Sequence, residues 1–443
     1  MTTTQHADQP ADVPTAKTAK QGLVFPGMGL LFVVLICCFT AWGIAADLTT
    51  PMVAGFKQIF DMNTFQASLV QLAYFGAYFL LAIPAALINE RFGYKAGLLS
   101  GVLLAAAGAI AFYPASKIMT YEAFLVALFA IAAGCSILET SANPYVLSLG
   151  PEETATRRLN FAQAFNPVGT NIGVLLAATL ILPKLDEPMN MANLTPAQEQ
   201  TIRAGQLGAV MGPYLGLGFV LIAIGIVIAI KKSPPIVEEF PDSDMEGQRP
   251  LKILLSNKRY VYGVVAQFFN VAAQVCTWTY LIQYSQQALN GSLELGGYLL
   301  QVSLIVFLIS RFVMTWVIGR VRATKVLGIL GALAVVLCVF AMVSPNVAGV
   351  TAVVALSFCL SLMFPTIYGV ALQGLGPATK FGAAGLVMAI VGGAIMPLIQ
   401  GRLLDATSPA LSFIVPAVCF AVVGCFAVYD LRAAPTMIKE QAA

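Results

Sequence analysis

The sequence predicts an all-α membrane protein whose twelve transmembrane helices form two six-helix halves. Three observations lead there. Of its 443 residues, 58% are hydrophobic and only 10% charged, against roughly 25% charged in soluble domains. No soluble fold of this size hides that much apolar surface. The apolar residues also gather in runs of about 20 or more, the length at which a helix crosses the hydrocarbon core. Between the sixth and seventh runs lies a polar stretch, 232–258, carrying Pro234, Pro235, Pro241, Glu238, Glu239, Asp242, Asp244 and Glu246. It reads as a linker.

Residues 1–23, rich in Thr, Ala and Pro, are expected to be a disordered cytoplasmic tail. The apolar run that starts at Val24 is too long for a signal peptide and further spans follow it, so it is the first transmembrane helix. Helices are expected near 24–55, 65–89, 96–115, 120–148, 160–183 and 207–231, giving an N-terminal half of 24–231. They resume near 259–288, 294–319, 326–343, 348–372, 381–404 and 409–431, a C-terminal half of 259–431. Residues 432–443 would be a cytoplasmic tail.

Orientation follows from lysine and arginine, because the net charge of +3 says little by itself. With the N-terminus inside, one face collects Lys17, Lys20, Arg91, Lys95, Arg157, Arg158, the basic residues of the linker, Arg320, Arg322, Lys325, Lys380, Arg432 and Lys439. The other has Lys57, Lys117, Lys184, Arg203 and Arg402. The positive-inside rule therefore places both termini and the linker in the cytoplasm of a multi-pass cell (inner) membrane protein. All eight cysteines fall within predicted spans and form no CxxC pair, so they read as small packing residues rather than disulfides or metal ligands.

The loop between spans two and three reads Asn89-Glu90-Arg91-Phe92-Gly93-Tyr94-Lys95. It resembles the acid-Arg-x-Gly-x-basic signature of the major facilitator superfamily, with Ala86 standing where that signature usually has a leading glycine. Two six-helix halves joined by a cytoplasmic linker are that superfamily's plan. The resemblance implies nested inverted repeats and a substrate site near the midplane, between the halves.

Two acids lie inside apolar stretches, Asp47 in the first span and Glu139 in the fourth, while the only histidine, His6, is in the tail. An acid in hydrocarbon costs roughly 2.5–3.5 kcal/mol on insertion scales and is rarely kept without a task. Burial disfavours its charged form, which suits proton exchange. A proton-coupled carrier is the leading reading. Asn143 lies one turn from Glu139, and Pro144 frees a backbone carbonyl that protein or a wet cavity must cover. For Glu139 the alternative is a structural acid bonded to a neighbouring helix; for Asp47 it is a solvated outer end.

Amide stripes mark the remaining interior faces: Asn160, Gln163, Asn166 and Thr170 on the fifth span, Gln267, Asn270, Gln274 and Trp278 on the seventh. Amides facing lipid would be costly, so they face protein, either as a substrate cavity or as interhelical glue. Amides with an aromatic ring suit a neutral sugar, whose hydroxyls need donors and acceptors while its C–H face stacks on Trp278. Arg311 on the eighth span would pair with a carboxylate, bind hydroxyls, or satisfy backbone carbonyls.

The sequence also resembles the fucose:proton symporter family, the L-fucose permease branch of the superfamily. The resemblance runs through Thr64-Phe65-Gln66-Ala67, Leu138-Glu139-Thr140 with Ala142-Asn143-Pro144, Leu149-Gly150-Pro151-Glu152, and Arg158-Leu159-Asn160 with Ala162-Gln163 and Phe165-Asn166. It continues through Ala273-Gln274, Trp278-Thr279-Tyr280-Leu281-Ile282, Pro365-Thr366-Ile367 and Thr379-Lys380-Phe381-Gly382. It implies that Glu139 helps bind sugar and couples it to proton movement, with Gln163 and Asn166 contacting hydroxyls. The first helix departs from the pattern, with Asp47 where the family has Asn and Thr50 where it has the proton-carrying Asp. Phe364 stands where a tyrosine hydroxyl is found in the family.

The expected function is therefore import of a neutral monosaccharide, L-fucose or a related hexose, with a proton. The partners are sugar, proton and the lipid bilayer. No cofactor is called for, and the chain is expected to work as a monomer. A drug or other organic-solute carrier and a non-transporting sugar sensor are the alternatives. No nucleophile–base pair, metal cluster or phosphate loop suggests an enzyme, and no basic segment interleaved with aromatics suggests nucleic-acid binding.

Overall fold

A computed structural model of the chain describes residues 22–59, 64–181, 196–230, 250–291 and 293–441. Most of the expected N-terminal tail and the linker as far as residue 249 lie outside them. The described residues are helical almost throughout, with no strand among them.

Helix α1 is Gly29–Ile59. Thr64–Ile118 is one run broken at Gly93, and gives α2 (64–92) and α3 (94–118). α4 is Tyr121–Ser148, and α5 is segmented as Ala155–Gln163, Asn166–Leu176 and a π turn, Ala177–Ile181. α6 is Pro196–Ile230. The second half runs α7 Lys258–Leu289, α8 Leu293–Val317, α9 Ala323–Val343 and α10 Val347–Leu372. It ends with α11, built from Thr379–Met388, Ala389–Val391 and Gly392–Ala406, and α12, Ile414–Gln441.

Among the described residues, 10 stretches are long and apolar enough to cross a membrane. One of them, Ala73–Ile118, contains the α2–α3 break and so makes two passes. α7 falls outside the 10 because Gln267, Asn270, Gln274, Gln283 and Gln286 make it too polar. Adding α7 and the second pass gives the twelve expected from the sequence. Two boundaries differ from expectation. Pro250–Ser256 forms a short helix inside the expected linker. α12 also continues through 432–441, where good helix formers such as Lys439, Glu440 and Gln441 carry it past the apolar span.

The Gly93 loop shows how local chemistry positions the site. Gly93 has φ 79°, a left-handed conformation that costs glycine little, and there the chain reverses between α2 and α3. Lys95 donates to the carbonyl of Ala229 in the last turn of α6 at 3.1 Å, a cation at a helix C-terminus. Asn89, fully buried, receives the Ser141 hydroxyl at 2.8 Å and donates to the Thr140 carbonyl at 3.4 Å. Pro144 has no N–H to offer that carbonyl, four residues back in α4. Asn89 supplies the missing donor.

In the first half α4 packs along α2 and α3, α1 against α5, and α6 against the α2–α3 run. In the second, α9 packs on α12 and α10, and α7 on α10 and α12. The halves meet where the start of α11 lies against α2–α3 and α4, where α10 meets the start of α5, and where α8 meets α5. Asn160 donates to Thr366 at 3.3 Å and Gln373 to Thr156 at 3.5 Å across that seam, and Lys380 sits over the Tyr94 ring at 6.0 Å.

Candidate functional site

Glu139 is fully buried in α4, within a run from Ile131 to Val146 that is buried throughout. Neither carboxyl oxygen has a hydrogen-bond partner among the described residues. In such a setting an ionised carboxyl costs far more than a neutral one. One turn on, Asn143 lies beside it. Asn143 Oδ1 accepts from Gln163 Nε2 at 2.7 Å, and the Tyr368 hydroxyl of α10 stands next to the same amide. Phe364, 8% exposed, stacks on Tyr368 with ring centroids 6.2 Å apart. Three elements from both halves, α4, α5 and α10, thus meet beside one acid.

Arg311, 4% exposed, closes this cluster from α8. Its Nε donates to the Ser361 carbonyl at 2.7 Å and Nη1 to the Gln163 carbonyl at 3.0 Å, while the guanidinium lies 4.8 Å from the Phe307 ring. Of the three roles the sequence left open for Arg311, these bonds correspond to the backbone one. They also join the halves.

Asp47 is half-buried on α1 beside Thr170 of α5. One turn earlier, a Cβ on Gly43 would stand 2.2 Å from the Asn166 carbonyl, so only glycine lets α1 and α5 cross this closely. Asn166 Nδ2 donates to the Phe39 carbonyl at 3.3 Å, so its amide ties the two helices together. The side chain of Thr50 lies outside the described residues.

On α7, Asn270 is fully buried with both polar atoms unpartnered among the described residues, as is Gln267, and Gln274 is half-buried. Trp278 donates its indole N–H to Ser357 at 3.0 Å and meets Phe307 edge-on at 5.1 Å. Contacts therefore link Glu139, Asn143, Gln163, Arg311 and Phe364. Asp47 and Asn166 belong to the α1–α5 crossing, and Asn270, Gln274 and Trp278 to the α7 stripe. A groove of about 790 Å³ between α9 and α12, lined by residues such as Gly331, Phe420 and Arg432, contains none of these side chains.

The sequence model of the Major Facilitator Superfamily matches residues 31–395. The chain belongs to the Major Facilitator Superfamily. This superfamily member is 39% identical over 435 residues to the L-fucose-proton symporter of Haemophilus influenzae, covering 94% of this chain and 98% of that protein. It is 32% identical over 425 residues to the glucose/galactose transporter of Brucella abortus, covering 95% and 97%. Its fold is similar to the crystal structure of a Major Facilitator Superfamily transporter, FucP, in the outward conformation, with TM-score 0.84 and 33% identity over 90% of this chain and 98% of that one. The resemblance read from the Gly93 loop and the Glu139 motif is borne out.

Three features of this superfamily member escaped the sequence reading. Arg158, counted there as a loop cation, is fully buried. Its guanidinium donates to the carbonyls of Val146 at 2.7 Å, Gly150 at 3.1 Å, Pro151 at 3.2 Å and Leu23 at 3.0 Å, and to that of Leu147. It thereby caps the C-terminal end of α4. Asp430, fully buried in α12, pairs with Arg259 at 2.7 Å and Arg322 at 3.0 Å and accepts from Thr324 at 2.8 Å. Tyr74 and Tyr78, one turn apart on α2, bring their hydroxyls within 3.3 Å of each other. Only this last pair had a legible signal, two phenols at i and i+4 in an apolar run.

Proposed function

We propose that the chain is a proton-coupled symporter that imports a neutral monosaccharide, L-fucose or a related hexose, by alternating access. The observation that carries this reading is Glu139, sealed and with no hydrogen-bond partner among the described residues, one turn from an Asn143–Gln163 amide pair that meets Tyr368 of the other half. Asp47 and Glu139 take up the proton. Asn143, Gln163, Asn166, Asn270 and Gln274 offer donors and acceptors to sugar hydroxyls, and Trp278 and Phe364 offer ring faces. Arg311 holds the two halves in register at the site. The names of the symporter and transporter relatives support a sugar substrate.

Both termini and the linker are placed in the cytoplasm of the inner membrane, with 24–231 and 259–431 as rocking halves of a monomer. The cross-seam bonds of Asn160, Gln373 and Lys380 involve residues that the positive-inside rule assigns to the cytoplasmic end. Closure there fits a state that receives sugar from outside. Protonation and loading let the halves rock inward; release and deprotonation complete the cycle, because the loaded, protonated carrier reorients more easily than a half-loaded one.

D-glucose or D-galactose is the second substrate reading, favoured by the Brucella abortus relative and by Asp47, an acid where the resemblance to the fucose permease family implies Asn. Uptake into vesicles under an imposed pH gradient, with L-fucose, D-galactose, D-glucose and N-acetylglucosamine compared, separates the two. A gradient-driven rise in internal sugar, with alkalinisation of the medium, is the expected result. Binding without accumulation would indicate a sensor, and no response to any of the four sugars would point to another organic solute.

A further inference from the structure

Glu139 is sealed, so a proton needs a route to reach it. Asp47 and Tyr74 are partly exposed, whereas Tyr78 is 1% and Glu139 0% exposed, so accessibility falls from one acid to the other. Tyr74 lies within electrostatic reach of both Asp47 and Glu139, and Tyr78 of Glu139. The two phenol oxygens are 3.3 Å apart. Ser136, three residues before Glu139, donates to the Tyr78 carbonyl at 3.2 Å and fixes α4 against this part of α2.

Trp42 holds the pair in place. Its indole N–H, a donor only, reaches the Tyr78 oxygen at 2.6 Å. That bond occupies one acceptor position on Tyr78 and leaves one acceptor position and its own proton. Tyr78 can therefore both accept from and donate to a neighbouring group, and either phenol can be the donor in the Tyr74–Tyr78 bond. The remaining titratable neighbour of both phenols is Cys135, one turn before Glu139 and fully covered.

We propose that Tyr74 and Tyr78 form a hydroxyl relay that carries a proton between Asp47 and Glu139. In the inward step Asp47 and Tyr74 come into hydrogen-bond contact, and the Asp47 O–H bond breaks as its proton passes to the Tyr74 oxygen. The Tyr74 proton moves to Tyr78, and the Tyr78 proton to a Glu139 oxygen once the Glu139 side chain turns to meet the Tyr78 hydroxyl. Three O–H bonds break and three form, so Asp47 ends as carboxylate, Glu139 as neutral acid and both tyrosines as neutral phenols. The acids thus act in series, and Trp42 is a positioning residue.

The relay rests on the symport reading and is tested apart from it in proteoliposomes. The unsubstituted protein must alkalinise the medium when sugar is added; failure there removes symport itself and says nothing against these tyrosines. Given that response, Tyr74→Phe and Tyr78→Phe should each slow gradient-driven accumulation on the order of tenfold or more, while sugar counterflow at equal pH persists. The solvent deuterium isotope effect on symport should be present in the unsubstituted protein and absent from counterflow. Normal accumulation by both variants would overturn the relay. A variant that loses counterflow and accumulation together would assign that tyrosine to packing and equally overturn its relay role.

Discussion

Gln163 Nε2 donates to Asn143 Oδ1 at 2.7 Å, joining α5 to α4 one turn beyond the Glu139 carboxyl. This bond makes one polar surface of two amides and leaves Asn143 Nδ2, which faces Glu139 and Tyr368, without a partner in hydrogen-bond geometry among the described residues. A sugar hydroxyl is a natural acceptor for it.

Replacing Gln163 with Leu leaves the Asn143 carbonyl buried without a donor, at a cost of about 1–3 kcal/mol. Sugar affinity should fall about tenfold or more, since about 1.4 kcal/mol is a factor of ten. Isothermal titration of the purified variant measures it. Asn143→Leu combined with Gln163→Leu should lose less than the sum of the two, because the pair acts as one unit. Strict additivity would show that the two amides serve separate purposes.

Glu139→Gln removes the titrating proton while keeping size and hydrogen-bonding capacity. Proton-driven accumulation should disappear and some sugar exchange persist. Sugar-induced alkalinisation at the level of the unsubstituted protein would count against Glu139 as a coupling group. Glu139→Gln should also flatten the pH dependence of sugar binding, read by titration across the neutral range.

The helices and the acid were legible for the same reason: hydrocarbon forces backbone polarity inward and makes every charge conspicuous. Glu139 and its neighbour Asn143 stood out on that ground alone. Arg158 did not, because among the charges of a turn between spans it looks solvated. Its role comes from carbonyls at the end of α4 and from Leu23 of the N-terminal segment, which only the fold assembles. Asp430 was hidden likewise near the end of the last span, since its partners Arg259 and Arg322 stand at the N-terminal ends of α7 and α9. The helical continuation past 431 was missed because the apolar span ends before the helix does.

Arg158→Lys keeps the charge and loses the planar fork that bonds several carbonyls at once. Each hydrogen bond to a buried charged group contributes about 1.5–3 kcal/mol, so the variant should be destabilised by about 3 kcal/mol or more. Thermal unfolding in detergent should show a clear fall in Tm, with Arg158→Met lower still because it leaves the carbonyls with no donor. An unchanged Tm for Arg158→Met would mean that water replaces the guanidinium without cost.

Asp430 holds Arg259, and Arg259 Nη2 in turn reaches Gln373 at 2.8 Å, whose amide donates to Thr156 of the first half at 3.5 Å. A fully buried carboxylate thus anchors a chain of contacts that ends on the opposite side of the seam. Asp430→Asn leaves Arg259 short of its countercharge, and breaking such a buried pair costs about 3–5 kcal/mol; Arg322, whose side chain is 45% exposed, contributes little to that. Gln373 is then freer to part from Thr156, and the balance should shift toward the state open at the linker end. Thiol labelling of a cysteine introduced at Lys380, which crosses the same seam to Tyr94, compared with and without Asp430→Asn, reads this, and faster labelling in the double variant is expected. Equal rates, with an intact fold confirmed by Tm, would confine the Asp430 cluster to stabilising the second half alone.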